Sequence, residues 1–68
     1  MDVMITSEYI TLGQLIKFVG IISNGAEAKM FLANNEAYVN GELDVRRGRK
    51  IYPGDVVTIN QKDYRVKN

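Results

Sequence analysis

The chain has 68 residues, 46% hydrophobic and 25% charged, which fits a single domain spanning 1–68 with one small core. It has no Cys and no His, so disulfides, thiolate chemistry, the commonest metal ligand and the usual neutral-pH general base are all excluded. The formal net charge is only +1, and no apolar run approaches the ~20 residues that a membrane span needs.

Met1-Asp2-Val3-Met4 begins with an acid and lacks the basic-then-apolar layout of a signal peptide, so a cytoplasmic location is expected. Val3-Met4-Ile5-Thr6 is short, apolar and partly β-branched, and it predicts a first strand. Thr11-Leu12-Gly13-Gln14 reads as a capping box, with Ile10 and Leu15 spaced to form a hydrophobic staple. Leu12, Leu15, Ile16 and Val19 follow the helical i, i+3, i+4, i+7 spacing and predict one buried stripe, which Gly20 ends. A second helix is predicted from Ser23-Asn24-Gly25. Asn24 and Glu27 make another capping box there, and Ser23 is a rival cap. Ala28, Phe31 and Leu32 share a face, and Asn34-Asn35 end the helix because Asn tolerates the left-handed conformation. The short loop between the helices favours a helical hairpin.

After Glu36 the period changes. Ala37-Tyr38-Val39 is strand-like, and Asn40-Gly41 is the strongest short hairpin signal, since a type I′ turn needs positive φ at both central residues. Pro53-Gly54 predicts a type II turn, closed by Asp55 through bonds to backbone N–H groups. Val56-Val57-Thr58-Ile59 predicts a strand, Asn60-Gln61-Lys62-Asp63 a loop, and Tyr64-Arg65-Val66-Lys67 an edge strand. The predicted fold is α+β, a helical hairpin packed on a small, mostly antiparallel sheet. Its expected core is Leu12, Leu15, Ile16, Phe31, Leu32, Val39, Val56 and Ile59.

No enzyme is expected. The acids fall mostly at caps, turns and loops, where each has a structural use, and Ser7 and Ser23 have no His to activate them. No Gly-rich loop stands at a strand-to-helix junction. No cofactor and no metal are called for.

The feature with most to say about function is Arg46-Arg47-Gly48-Arg49-Lys50, four cations in five residues with no acid among them. Adjacent charges add their potentials, so such a block suits several phosphates held at once, favoured by counterion release. Arg47 and Arg49 are expected to contribute alike. The bland alternative is a solvated loop that merely aids solubility. Another is a protein–protein adaptor that docks the block on an acidic partner, because Arg suits carboxylate as well as phosphate. The helix start at Asn24-Gly25-Ala26 is expected to expose N–H groups toward a phosphate, with Gly25 allowing close approach and the 46–50 loop lying alongside. Of Tyr38, Tyr52 and Tyr64, Tyr52 beside the basic block is the best candidate for stacking on a base, and Asn40 reads mainly as a turn residue.

The order of these signals resembles the S-four RNA-binding domain family over residues 9–60. Its specific part is Val39-Asn40-Gly41 together with Gly54-Asp55-Val56. Within that family the chain is similar to the small stand-alone YaaA- or RlbA-type proteins, through Gly25-Ala26-Glu27-Ala28-Lys29 and the block at 46–50. The resemblance implies the alpha-L motif and RNA binding, with structured ribosomal RNA or a ribosome-assembly role as the setting, and a monomer is expected. The residues it carries over are Lys29, Arg46, Arg47, Arg49 and Lys50. Two positions depart from the wider family. Helix one usually opens Arg-Leu-Asp and here reads Thr11-Leu12-Gly13, and an Arg usual after the helix-two Ser is here Asn24.

Overall fold

In the computed structural model, which describes residues 1–68, the first strand is β1 (Asp2–Met4), starting earlier and ending sooner than predicted. Val3 is its inward residue, and Ile5 follows it into the core. A two-residue strand, β2 (Ile10–Thr11), leads directly into α1 (Leu12–Phe18). Both halves of the capping box are present: Gln14 N–H donates to Thr11 Oγ1 at 3.2 Å and Thr11 N–H to Gln14 Oε1 at 2.9 Å. Gly20, at φ 85°, ends the helix in a Schellman arrangement. Its N–H donates to Lys17 O and Ile21 N–H to Ile16 O, each at 3.0 Å. Leu12, Leu15 and Ile16 are buried, and Val19 only partly so.

The second helix begins as a 3₁₀ turn over Gly25–Glu27 and becomes α-helical only in α2 (Ala28–Asn34). Asn24 caps it as predicted, and Ser23 also donates to Glu27 Oε1. The Asn pair ends α2 by a different route from the one predicted. Asn35 is extended rather than left-handed. The side-chain amides of Asn34 and Asn35 donate back to Met30 O and Phe31 O at 2.8 and 2.9 Å, occupying carbonyls that the last turn leaves free.

The rest of the chain forms β3 (Ala37–Val39), β4 (Glu42–Leu43), β5 (Lys50–Ile51), β6 (Val56–Ile59) and β7 (Lys62–Lys67). Asn40 and Gly41 sit at φ 51° and 87°, as a type I′ hairpin turn requires, with Val39 opposite Glu42. The main sheet runs β1-β7-β6-β3-β4, antiparallel except for the β1–β7 pair, and β2 and β5 form a separate antiparallel ladder. The predicted loop at 60–63 is instead a tight turn. Asn60 and Gln61 take φ 50° and 70°, so Ile59 faces Lys62 and the strand continues at once. The expected edge strand Tyr64–Lys67 is internal, because β1 pairs with its outer side: Asp2, Val3 and Met4 stand against Arg65, Val66 and Lys67.

The core is one cluster of 15 buried residues from every layer, including Val3, Ile51, Val57, Tyr64 and Val66, which the periodicity did not single out. Val56 and Phe31 were expected inside and are only partly buried. For Val56 the reason is geometric. Strand faces alternate with a period of two, so Val56 and Ile59 point opposite ways; β6 buries Val57 and Ile59. On α2, Leu32 takes the central position and Phe31 packs at the rim.

Candidate nucleic-acid interface

The connection from β4 to β5 carries the basic block and is built on Asp44, the one buried charged side chain. Asp44 Oδ1 accepts from Arg46 N–H at 2.9 Å and Arg46 Nε at 3.0 Å; Oδ2 accepts from Arg46 Nη2 at 2.7 Å and Arg49 Nη1 at 2.8 Å. The Arg46 side-chain bonds hold the Asp44 carboxyl well below the usual carboxylate range, against the opposing effect of burial. The same pairing raises the Arg46 guanidinium above its ordinary value. The block therefore does not stand free of acid as its sequence implies, since an acid two residues upstream folds beneath it. Arg46 and Arg49 are directed by one carboxylate, whereas Arg47 and Lys50 have no carboxylate partner. Arg47 and Arg49 are not equivalent after all: Arg49 is half-buried and Arg47 exposed.

The loop is pinned to the start of α1. A helix leaves its first N–H groups without intrahelical partners. Here Leu12 N–H donates to Arg49 O and Gly13 N–H to Arg47 O, both at 2.8 Å. Gly13 permits that approach. A Cβ at this position would lie 3.2 Å from Arg47 O, 3.3 Å from Arg47 Cβ and 3.4 Å from Ala28 Cβ. The family departure at this residue thus has a packing reason, which required the fold to see.

Two grooves flank the loop and meet at Gly48. One is lined by Thr11, Gln14, Lys17, Gly25, Ala28 and Arg47, the other by Arg46, Arg49, Lys50, Tyr52 and Asp55. The expected neighbourhood of loop and second helix is present, and Gly25 borders the first groove. Lys29 is exposed on α2 but lines neither groove, while Lys17, unremarked in the sequence, lines the first. Asn24 borders a separate, mostly apolar groove with Ile21, Ile22, Met30 and Phe31. The N–H groups expected to be free there are largely occupied. Ser23 and Asn24 N–H both donate to Glu27 Oε1 at 3.1 Å, and Ala26 N–H donates to Asn24 Oδ1 at 3.0 Å. The Ser23 hydroxyl and the Ser23 and Asn24 N–H groups lower the Glu27 pKa, which keeps a carboxylate at this turn.

Tyr52 is exposed on the far side of the block, in a turn with little freedom. Its N–H donates to Asp55 Oδ2 at 2.8 Å and its carbonyl accepts from Asp55 N–H at 2.9 Å, while Gly54 supplies the positive φ, 99°, of a type II turn. Asn40 donates to Asp55 Oδ1 at 3.0 Å and accepts from Val56 N–H at 2.9 Å, so its amide is committed to structure. Tyr64 is buried and Tyr38 half-buried, which leaves Tyr52 as the accessible member of the three. Its ring centroid lies 5.7 Å from that of Tyr9, and Lys50 Nζ stands 5.0 Å from the Tyr9 centroid. No sequence pattern singled out Tyr9, which precedes a strand of only two residues and so shares in no periodicity.

Two helices with a small, mostly antiparallel sheet make an α+β fold of the S-four type. A family model described as "S4 domain" matches residues 3–67, and the chain belongs to that family. It is 53% identical over 57 residues to the "Probable ribosome maturation protein RlbA" of Bacillus subtilis (strain 168), which covers 84% of this chain and 80% of that protein.

Proposed function

We propose that the chain is a non-catalytic RNA-binding protein that grips structured ribosomal RNA through its phosphates and serves ribosome assembly. The observation that carries this reading is the cationic loop held rigid between Asp44 and the first N–H groups of α1. Family membership and the ribosome maturation role in the name of the Bacillus subtilis relative support it. Arg47 and Lys50 are the foremost phosphate ligands, with the exposed side of Arg46, part of Arg49, Lys17 and Lys29 around them, and Gly25 leaving room for the RNA backbone. Duplex RNA hides its base edges in a deep narrow groove, so recognition on this face is of shape, phosphates and 2′-hydroxyls.

The four cations of the block less the one Asp44 carboxylate leave charge for about three phosphates, and log K against log salt should fall with a slope of about −2 to −3. Arg47→Ala should make the slope shallower by about one unit and weaken different RNA sequences alike. Lys62→Ala and Lys67→Ala, on β7, should change little. Titration of a labelled ribosomal RNA helix at several salt concentrations measures this. A flat salt response, or weak RNA affinity indifferent to Arg47→Ala, would remove the reading in favour of an acidic protein partner.

A further inference from the structure

We infer that Tyr52, backed by Tyr9, is a stacking platform for one unpaired base at the edge of the cationic loop, so the preferred ligand is a structured RNA carrying an unpaired nucleotide rather than a continuous duplex. The inference rests on the phosphate reading above and adds to it the class of RNA.

The platform follows from register. β2 and β5 pair with Ile10 opposite Ile51, which brings Tyr9 across from Tyr52. Both rings are backed by a fixed backbone. Tyr52 is bonded through its N–H and its carbonyl to Asp55, which Asn40 holds in turn, and Tyr9 O accepts from the Ser7 hydroxyl at 2.8 Å. The backbone that carries Tyr52 is thus set before a ligand arrives. The rings meet at 50°, and Tyr52 remains 43% exposed after that contact.

The adjoining groove has two kinds of wall. Tyr52 supplies a flat aromatic surface, while Arg46, Arg49 and Lys50 supply cations, with Gly48 leaving the space between them free of side chain; the Asp55 carboxylate beside them is taken up by Tyr52 N–H and the Asn40 amide. A nucleotide has the same two parts, a planar base and a phosphate. A base paired within a helix has both faces covered by its neighbours, so only an unpaired or splayed-out base has a face to offer. Lys50 Nζ, over the Tyr9 ring, lies where it serves the phosphate of the stacked nucleotide.

The test uses the whole chain and two labelled RNA hairpins, one fully paired and one with a single unpaired 2-aminopurine. The bulged hairpin should bind about tenfold tighter, and its fluorescence should be quenched on binding, as expected for one base–aromatic stack. Tyr52→Ala should abolish both the preference and the quenching while leaving the salt slope unchanged, because stacking releases no counterions. Tyr52→Phe should behave like the parent. Equal affinity of the parent for the two hairpins, or quenching that survives in Tyr52→Ala, would overturn the platform, and a steep salt slope in that same experiment would leave the phosphate reading standing. Absence of salt-dependent binding to either hairpin would overturn both.

Discussion

A carboxylate inside a cationic loop lowers the loop's net charge, yet here it also aims the charge. Asp44 accepts four hydrogen bonds from Arg46 and Arg49, one of them from backbone, so two long side chains that would otherwise sample many rotamers leave the surface in set directions. Asp44→Asn should therefore destabilise the fold by about 1–2 kcal/mol at neutral pH although it relieves no clash. The sign of its pH dependence is fixed by the depressed pKa. The carboxyl titrates lower in the folded chain than in the unfolded one, near 3.9, so its contribution is complete above about pH 5. It declines below about pH 4 and disappears once the pH has passed through the folded value. Urea unfolding of parent and variant across acid pH should show their gap narrowing; a gap of constant size would mean that the Asp44 charge does not stabilise the loop.

Each α-helix has seven residues, too few to persist in water by itself. Their ends are accordingly well fastened, by the Thr11–Gln14 and Asn24–Glu27 boxes and by the Gly20 stop. The start of α1 has a second duty, since its leading N–H groups hold the basic loop. That duty depends on Gly13 lacking a side chain. Gly13→Leu should cost about 1–3 kcal/mol from overpacking and displace Arg47, lowering RNA affinity with it. Gly48→Ala, at the tip of the same loop, meets nothing within 4 Å and should melt like the parent. Thermal melts of the two variants make the comparison; equal melting temperatures would show that the loop does not rest on Gly13.

Across the molecule, stability rests on contacts between distant stretches of chain. β1 closes the sheet by pairing in parallel with β7, so the first and last strands lie side by side and Val3 and Val66 share the core. A domain of this size has a thin margin, and with no Cys in the chain no disulfide widens it. Leu32, fully buried on α2, is therefore a sensitive point: Leu32→Ala should cost about 2–5 kcal/mol and Phe31→Ala, at the rim, distinctly less. Denaturant midpoints of the two variants measure the order. If Phe31→Ala proved the more damaging, the inward face of α2 would be misassigned.

The features that the amino-acid sequence determined by itself are those whose partners lie within about four residues. Thr11 with Gln14, Asn24 with Glu27, Asn40 with Gly41, and Pro53 and Gly54 with Asp55 each adopt their expected geometry, because capping and turn bonds depend on local spacing alone. The location of the basic block was equally legible. Its condition was not, since the burial of Asp44 under Arg46 and Arg49 follows no capping or turn pattern, and the docking of Arg47 on Gly13 joins residues more than thirty positions apart. The same holds for β7, which alternates like an edge strand and becomes internal because β1 returns to it from the other end of the chain, and for Tyr9 with Tyr52, which face each other through a ladder too short to leave a pattern. Periodicity reports which way a side chain points relative to its own element; which element lies opposite, and whether a charge is left free or neutralised there, is settled by tertiary packing.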